Sequence, residues 1–286
     1  MFILPDSLTV VLIASFPAGP WQTNCYVVAT EPGAECVIID PGMDAVSGVR
    51  DIVHGQRLKP VSVMLTHGHL DHMYSVTPLC SSYDSTCWIH PDDRALLADP
   101  LRAMSAETSA MLQQLTGARQ TFVEPDEVRE MVDGAVVEVA GVTFSCLHAP
   151  GHTAGSTMFS TPYEPDAEVA TSGSAPPFPE LAERRPSTSS GSGARSRSGD
   201  GARSRSGDGG HSRSVVFSGD VLFAGSIGRT DLPGGSSEAM LHSLRTKVLP
   251  LPDTAVVLPG HGPQTNMAQE RATNPYLHEH YLRSTS

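Results

Sequence analysis

Four short apolar runs of this 286-residue chain end in histidine or aspartate, and that repetition restricts the fold more than any other feature. "VSVMLT" runs through Thr66 into "HGHLDH" (His67 to His72), "TFSCLHAPGH" ends at His152, "VVFSGD" at Asp220 and "TAVVLPGH" at His261. Apolar, β-branched runs bounded by Gly and Pro read as strands. Polar side chains gathered at strand ends are the habit of layered α/β folds, where the loops leaving a sheet build the site. Three earlier runs, "TVVLIASF", "NCYVVAT" and "ECVIID", are broken by Pro17, Gly19 and Pro20 and then by Pro32 and Gly33, and are expected to pair as sequential antiparallel strands. The first of them, Leu8 to Phe16, mimics a signal-peptide core, but Asp6 precedes it and no Lys or Arg occurs before Arg50, so it reads as a strand.

Between strands, Asp44 to Arg57 reads as a helix. Pro91 opens a second, with Asp92 and Asp93 in its first turn, and a third is expected from Leu101 to Leu115 before Gly117. "AVVEVAGVTFSCLHAPGH" reads as a hairpin, and "STMFS" and "SVVFSGD" as the halves of another. What separates those halves, residues 164–214, is rich in Pro, Ser, Gly and Arg and holds the octapeptide "GARSRSGD" twice, at Gly193 to Asp200 and Gly201 to Asp208. Such a segment buries too little apolar surface to offset its ordering entropy, so it is expected to be a disordered insert within one domain spanning residues 1–286. An Arg/Ser tract can serve as an RNA-binding or phosphorylatable arm, but a surface loop lengthened by repeat expansion is the preferred reading.

Composition narrows the class. With 39% apolar residues the chain can bury a sizeable core, and 31 acidic against 19 basic residues give a net charge of −12, which disfavours nucleic acid as a partner. No run approaches the ~20 apolar residues a membrane helix needs. Cys25, Cys36, Cys80, Cys87 and Cys146 are odd in number and lack CxxC spacing, which argues against a disulfide framework and a thiolate zinc cage and favours the reducing cytoplasm. They read as small buried apolar groups.

The spacing in "HGHLDH" is informative in itself. His67 and His69, two apart in extended backbone, project to the same side, while Asp71 and His72, beyond the turn, address a neighbouring position. One loop thus starts two metal sites, each to be completed from elsewhere to the ~3 protein ligands of an open catalytic zinc site. The Gly- or Pro-framed loops offer His152, Asp220 and His261, and Asp220 is the candidate bridge, since a carboxylate can give one oxygen to each of two ions roughly 3.5–4 Å apart. His54, His90, His148, His211, His242, His278 and His280 lie outside such loops and read as packing or surface residues.

Taken together, "THGHLDH", "PGHTAGS", "SGDVLF" and "PGHG", in that order, resemble the metallo-β-lactamase superfamily over nearly the whole chain apart from the insert. The resemblance implies an α/β fold, an αββα four-layer sandwich with the site at one edge between two sheets. It implies His67, His69 and His152 on a first metal, Asp71, His72 and His261 on a second, Asp220 bridging them, and Asp40 of "IIDPG" supporting the ligands from behind. "AGSIGRTDLPGG" (Ala224 to Gly235) is similar to glyoxalase II and its short bacterial relatives, which hydrolyse hydroxyacyl thioesters such as S-lactoylglutathione. This likeness implies two divalent ions, zinc before iron or manganese, a bridging hydroxide that attacks the thioester with no further catalytic residue, and Arg229 binding a substrate carboxylate. Asp220 sets the chain apart from β-lactamases that use Cys there, and His69 from flavodiiron relatives that carry Glu. Asp231 and Pro263 stand where glyoxalase II has tyrosines, and that family's C-terminal helical domain has no counterpart after His261, so the expected substrate widens to small-thiol thioesters. The alternative is a persulfide dioxygenase of the same fold, with a "GRTD" motif and one iron; Gly262-Pro263 departs from the acidic-aromatic pair expected of it.

Overall fold

A strand that is apolar at every position has two faces to bury, and this chain satisfies that demand by stacking two sheets under helices. The computed structural model describes residues 12–105, 109–110, 121–163 and 213–283. Strands β1 (Leu12–Ala18), β2 (Thr23–Ala29), β3 (Glu35–Ile39), β4 (Lys59–Met64), β5 (Thr86–Ile89) and β6 (Val128–Glu130) form one sheet in sequence order. As expected, β1 to β3 pair antiparallel; β3 to β6 then run parallel. The second sheet contains β7 (Val136–Val139), β8 (Val142–His148), β9 (Thr157–Tyr163), β10 (Arg213–Gly219), β13 (Val256–Pro259) and β14 (Thr265–Asn266), in the order β14-β13-β10-β9-β8-β7. A small hairpin, β11 (Leu222–Phe223) and β12 (Ser226–Ile227), follows β10.

Parallel neighbours require crossovers, and helices supply them. Helix α1 (Ala45–Gln56) links β3 to β4, and α2 (Leu70–Met73) with α3 (Val76–Tyr83) link β4 to β5. Helix α4 (Pro91–Arg94) follows β5, α5 (Ser237–Ser243) precedes β13, and α6 (Met267–Thr273) and α7 (Glu279–Arg283) end the described chain. The period of two in the strands divides the core. Val37 and Ile39 of β3 meet Phe144, Phe159, Val215 and Phe217 between the sheets, whereas Ile38 faces Val49 and Val53 of α1. Val216 of β10 points the other way, to Met240, Leu241 and Leu244. The layers are therefore helix, sheet, sheet, helix, as the resemblance implied.

The expected first strand is present wherever it is described, from Leu12, and continues to Ala18; residues 8–11 lie outside the described residues. The expected helix from Leu101 is not continuous: Pro100–Ala103 forms one 3-10 turn, and Met104 is extended (φ −103°, ψ 156°) and packs against the core beneath α1 and α3. Pro100 suits the first turn of either helix type and does not extend it. Most of the rest of that range, and residues 164–212 of the insert, lie outside the described residues. The hairpin around the insert is present, with Tyr163 of β9 directly opposite Arg213 of β10. Among the described residues no helix is long and apolar enough to cross a membrane.

Candidate metal centre

The site forms where the C-terminal ends of the parallel strands β3, β4, β10 and β13 meet across the two sheets. Backbone bonds stitch the meeting point: Thr157 N donates to Thr66 O at 2.8 Å, Asn24 N to Gly260 O at 2.7 Å, and Gly260 N to Gly219 O at 2.8 Å. Two glycines make the approach close enough. At Gly219, whose φ is +49°, a Cβ would stand 2.6 Å from Thr66 Cβ; at Gly260 it would touch Asp220 Oδ1 and stand 2.6 Å from His72 Cε1.

The backbone is extended at His69 (φ −67°, ψ 145°) and turns into α2 at Leu70, so His67 and His69 lie on one side of that turn and Asp71 and His72 on the other. His67 and His69 lie with His152, their rings edge-to-face with centroids 4.5–4.8 Å apart, and His69 Nδ1 faces His152 Nε2 at 2.8 Å. Asp71 and His72 fall instead beside His261: His261 Nε2 is 3.2 Å from Asp71 Oδ2 and 3.2 Å from His72 Nε2. Asp220 touches both groups, with Oδ1 3.3 Å from His72 Nε2 and Oδ2 3.4 Å from His152 Nε2 and 3.6 Å from His261 Nε2. All seven sequence-predicted ligands are thereby brought together.

Donor atoms that share one ion at ~2.0–2.2 Å in a tetrahedral shell stand about 3.3–3.6 Å from one another; the separations here run from 3.2 to 3.6 Å, apart from the closer His69–His152 pair at 2.8 Å. His67 Nε2 and Asp220 Oδ1 are buried without a hydrogen-bond partner among the described residues, as is His69 Nε2 on the ring edge away from the nitrogen that faces His152. An unpartnered buried polar atom costs about 1–3 kcal/mol, and a cation is what this donor set would accept. The residues fit a pair of metal ions.

The electrostatics agree. Burial, reinforced by surrounding imidazoles, pushes His67 well below its ordinary value and His69 down to about 3, which leaves them neutral as ligation requires. Burial raises the carboxyl of Asp220, but His72, His152 and His261 outweigh it and hold the group low; His72 and His261 do the same for Asp71. Burial also opposes charge on His72, yet Asp220, Asp71 and Asp40 overcome it and favour a proton there, on a ring for which a divalent cation would compete.

Each ring is held from behind. Asp40, 1% exposed, accepts from Thr66 N at 2.8 Å and Thr66 Oγ1 at 2.7 Å and lies 3.0 Å from His72 Nδ1. Thr66 Oγ1 in turn stands 3.1 Å from His67 Nδ1. The Trp21 carbonyl accepts from His261 Nδ1 at 3.1 Å, and the Arg229 carbonyl from His152 Nδ1 at 2.8 Å. Asp40, expected to stand behind the ligands, lies against His72 and Thr66. Thr66 and the two carbonyls are additions that sequence reasoning missed; a threonine at a strand end and a main-chain oxygen carry no local signal. Asp93 carries no local signal either, since its place in the sequence is that of an ordinary first-turn helix charge.

A cleft of about 370 Å³ opens on the centre, lined by Trp21, Leu70, Met104, Arg229 and Leu232 together with His69, Asp71, His152, Asp220 and His261. Arg229 borders it, but its guanidinium fork is engaged by Asp231, at 2.8 and 2.7 Å, and both side chains are exposed. Of the histidines expected to pack, His90 and His148 stack on each other with centroids 3.9 Å apart and planes 10° from parallel. Asp92 is near them, but in-plane lone pairs of parallel rings do not converge on one ion, so packing is the better account. His54, His242, His278 and His280 stand apart from the centre, and His211 is outside the described residues.

A sequence profile of the metallo-beta-lactamase superfamily matches residues 18–167 and 209–261. An uncharacterized protein of Mycobacterium tuberculosis is 35% identical over 93% of this chain and 98% of its own length. Hydroxyacylglutathione hydrolase GloC of Haemophilus influenzae is 27% identical over 93% of this chain and 97% of its own. Among solved structures, BLEG-1 B3 metallo-beta-lactamase superposes with a TM-score of 0.65 at 31% identity, covering 93% of this chain and 99% of that one. TTHA1623 in a di-iron-bound form gives 0.60 at 30% identity, over 91% and 98%.

Proposed function

Because the chain belongs to the metallo-beta-lactamase superfamily, we propose that it is a dinuclear metal-dependent hydrolase of small-thiol thioesters, of the hydroxyacylglutathione type. The observation that carries the reading is Asp220, whose two oxygens reach donor atoms of both ligand groups at 3.3–3.6 Å. Likeness to a hydroxyacylglutathione hydrolase along nearly the full length of both chains supports the substrate class.

In this reading His67, His69 and His152 hold one ion, Asp71, His72 and His261 the other, and Asp220 both. Bound there, two divalent ions supply Lewis acidity and a water acidified towards neutrality. The chain's own part is orientation and exclusion of water. Asp40, the Trp21 carbonyl and the Arg229 carbonyl fix the rings, while Trp21, Leu70, Met104 and Leu232 give the acyl and thiol portions apolar walls. A thiol of pKa ~8.5 leaves as thiolate without a general acid, so the reaction asks the cleft wall for no further proton donor. Arg229 is the group for a substrate carboxylate, which would displace Asp231 from an exposed pair of the kind that contributes little in water.

Zinc is the first choice of metal, with iron beside it because a 30% identical neighbour was seen in di-iron form. Five buried, unpaired cysteines suit a reducing cytoplasm, where small-thiol thioesters are found, and the charge of −12 suits neither nucleic acid nor an anionic membrane surface. The test is S-lactoylglutathione hydrolysis by the purified chain, run beside a β-lactam because a 31% identical neighbour is a B3 metallo-beta-lactamase. Thioester hydrolysis that chelation abolishes and zinc restores is expected. Opening of the β-lactam with the thioester untouched, or oxygen uptake on a persulfide with a single bound iron, would replace this reading.

A further inference from the structure

Helix α4 crosses behind the two loops that carry the three-histidine group, and Asp93 is the residue it turns inward. Asp93 is 1% exposed, whereas its neighbour Asp92 is exposed. Its Oδ2 accepts from Gly68 N at 2.9 Å and from Thr153 Oγ1 at 2.6 Å, and its Oδ1 accepts from Gly155 N at 2.8 Å. Gly68 lies between His67 and His69; Thr153 and Gly155 follow His152. One carboxylate therefore binds both loops, and the described residues place no cation within salt-bridge distance of it. A buried carboxylate without a counter-charge is costly unless hydrogen-bond donors surround it, and here all three donors come from metal-site loops.

The glycines report the same closeness independently. A Cβ on Gly155 would stand 2.6 Å from Asp93 Cγ, and one on Gly68 would stand 2.8 Å from Leu96 Cβ and 3.0 Å from the Asp93 carbonyl oxygen. Both loops are pressed so tightly onto α4 and the turn that follows it, Ala95–Leu97, that only glycine fits at either contact.

We propose that Asp93 is a positioning residue that clamps the "HGH" loop to the His152 loop and so sets the affinity of the three-histidine group for its ion. The proposal rests on the metal-centre reading above. Asp71, His72 and His261 hang on other partners, namely the Thr23 hydroxyl, Asp40 and the Trp21 carbonyl respectively, so the effect is specific to one of the two ions. Geometry also distinguishes substitutions. An amide at residue 93 can keep an acceptor towards Gly68 N and Thr153 Oγ1 only by turning its own N–H2 on Gly155 N.

The test is stepwise zinc affinity of the full chain, measured by competition with a chelator of known affinity, for wild type, Asp93→Asn and Asp93→Ala. In Asp93→Ala one ion is expected to loosen by about 10–100-fold, the range typical of lost outer-shell partners, while the other stays within a few-fold, and Asp93→Asn falls between. If Asp93→Ala does not fold, Thr153→Val removes one donor and keeps the carboxylate; it should weaken the same ion by a smaller factor. A folded Asp93→Ala that binds both ions as wild type does, or loses both equally, overturns the proposal. A wild-type chain that takes up no zinc overturns the metal-centre reading itself.

Discussion

Asp40 reaches both halves of the centre, His72 directly and His67 through Thr66, from a backbone at φ +50° that Asp tolerates better than most residues. Asp40→Ala should therefore weaken both ions, by about 10–100-fold each, in contrast to the one-ion effect expected at Asp93; calorimetric or chelator titration reads the difference. Arg229 gives a second contrast. Its fork is held by Asp231, whose own carboxyl the guanidinium keeps at about 2. Asp231→Asn frees that fork and should lower KM for a carboxylate-bearing thioester, with kcat little changed. If KM rises instead, the pair is a brace for the loop whose carbonyl orients His152. At this scale the sequence was legible where type and spacing coincide, as in "HGHLDH", and illegible where burial decides. Asp92 and Asp93 are the same residue in the same helical turn, and only the fold hides one of them.

The working unit at the next scale is a strand that ends in a glycine-framed loop. Strands β4, β10 and β13 stop at the same edge because β10 pairs parallel to β13 and Thr66, after β4, is tied to Thr157 at the start of β9. Loop exits must then be thin. Gly260→Ala would drive a methyl into Asp220 and His72, and is expected to cut metal content and turnover by an order of magnitude or more while the far-UV spectrum stays native. Unchanged zinc content in that variant would mean the loop has more slack than its contacts indicate. Strands were readable because β-branched runs alternate between two buried faces, Val37 and Ile39 one way and Ile38 the other. The stretch from Leu101 to Met104 was not. Its apolar residues suit a helix, yet Met104 leaves the helical region to pack on the core and line the cleft, a tertiary choice that local propensity does not register.

At the scale of the molecule, two sheets share a core built on Phe144, Phe159 and Phe217, with Tyr26 edge-on to Phe217 at 5.2 Å, and its stability depends on that stack. Phe217→Ala should cost about 3–5 kcal/mol in chemical denaturation. The insert is a different matter. Tyr163 and Arg213 face each other in register, so deleting residues 165–211 and closing with a short Gly/Ser turn should keep both strands. Closure entropy rises as about (3/2)RT ln n, so the shorter chain should be more stable by about 2 kcal/mol, with metal content and kcat within a few-fold. Loss of hydrolysis on deletion would make the insert part of the active site. The layer order and the seven convergent side chains were both legible in four ordered motifs; the substrate was not, because it depends on a cleft wall assembled from Trp21, Met104 and Leu232, far apart in sequence. The central claim is a paired-metal thioester hydrolase, and its most direct measurement is S-lactoylglutathione turnover as zinc is added back to chelated protein. Activity that climbs to a plateau at two equivalents per chain is the expected result; a plateau at one equivalent, or no turnover at any loading, would contradict it.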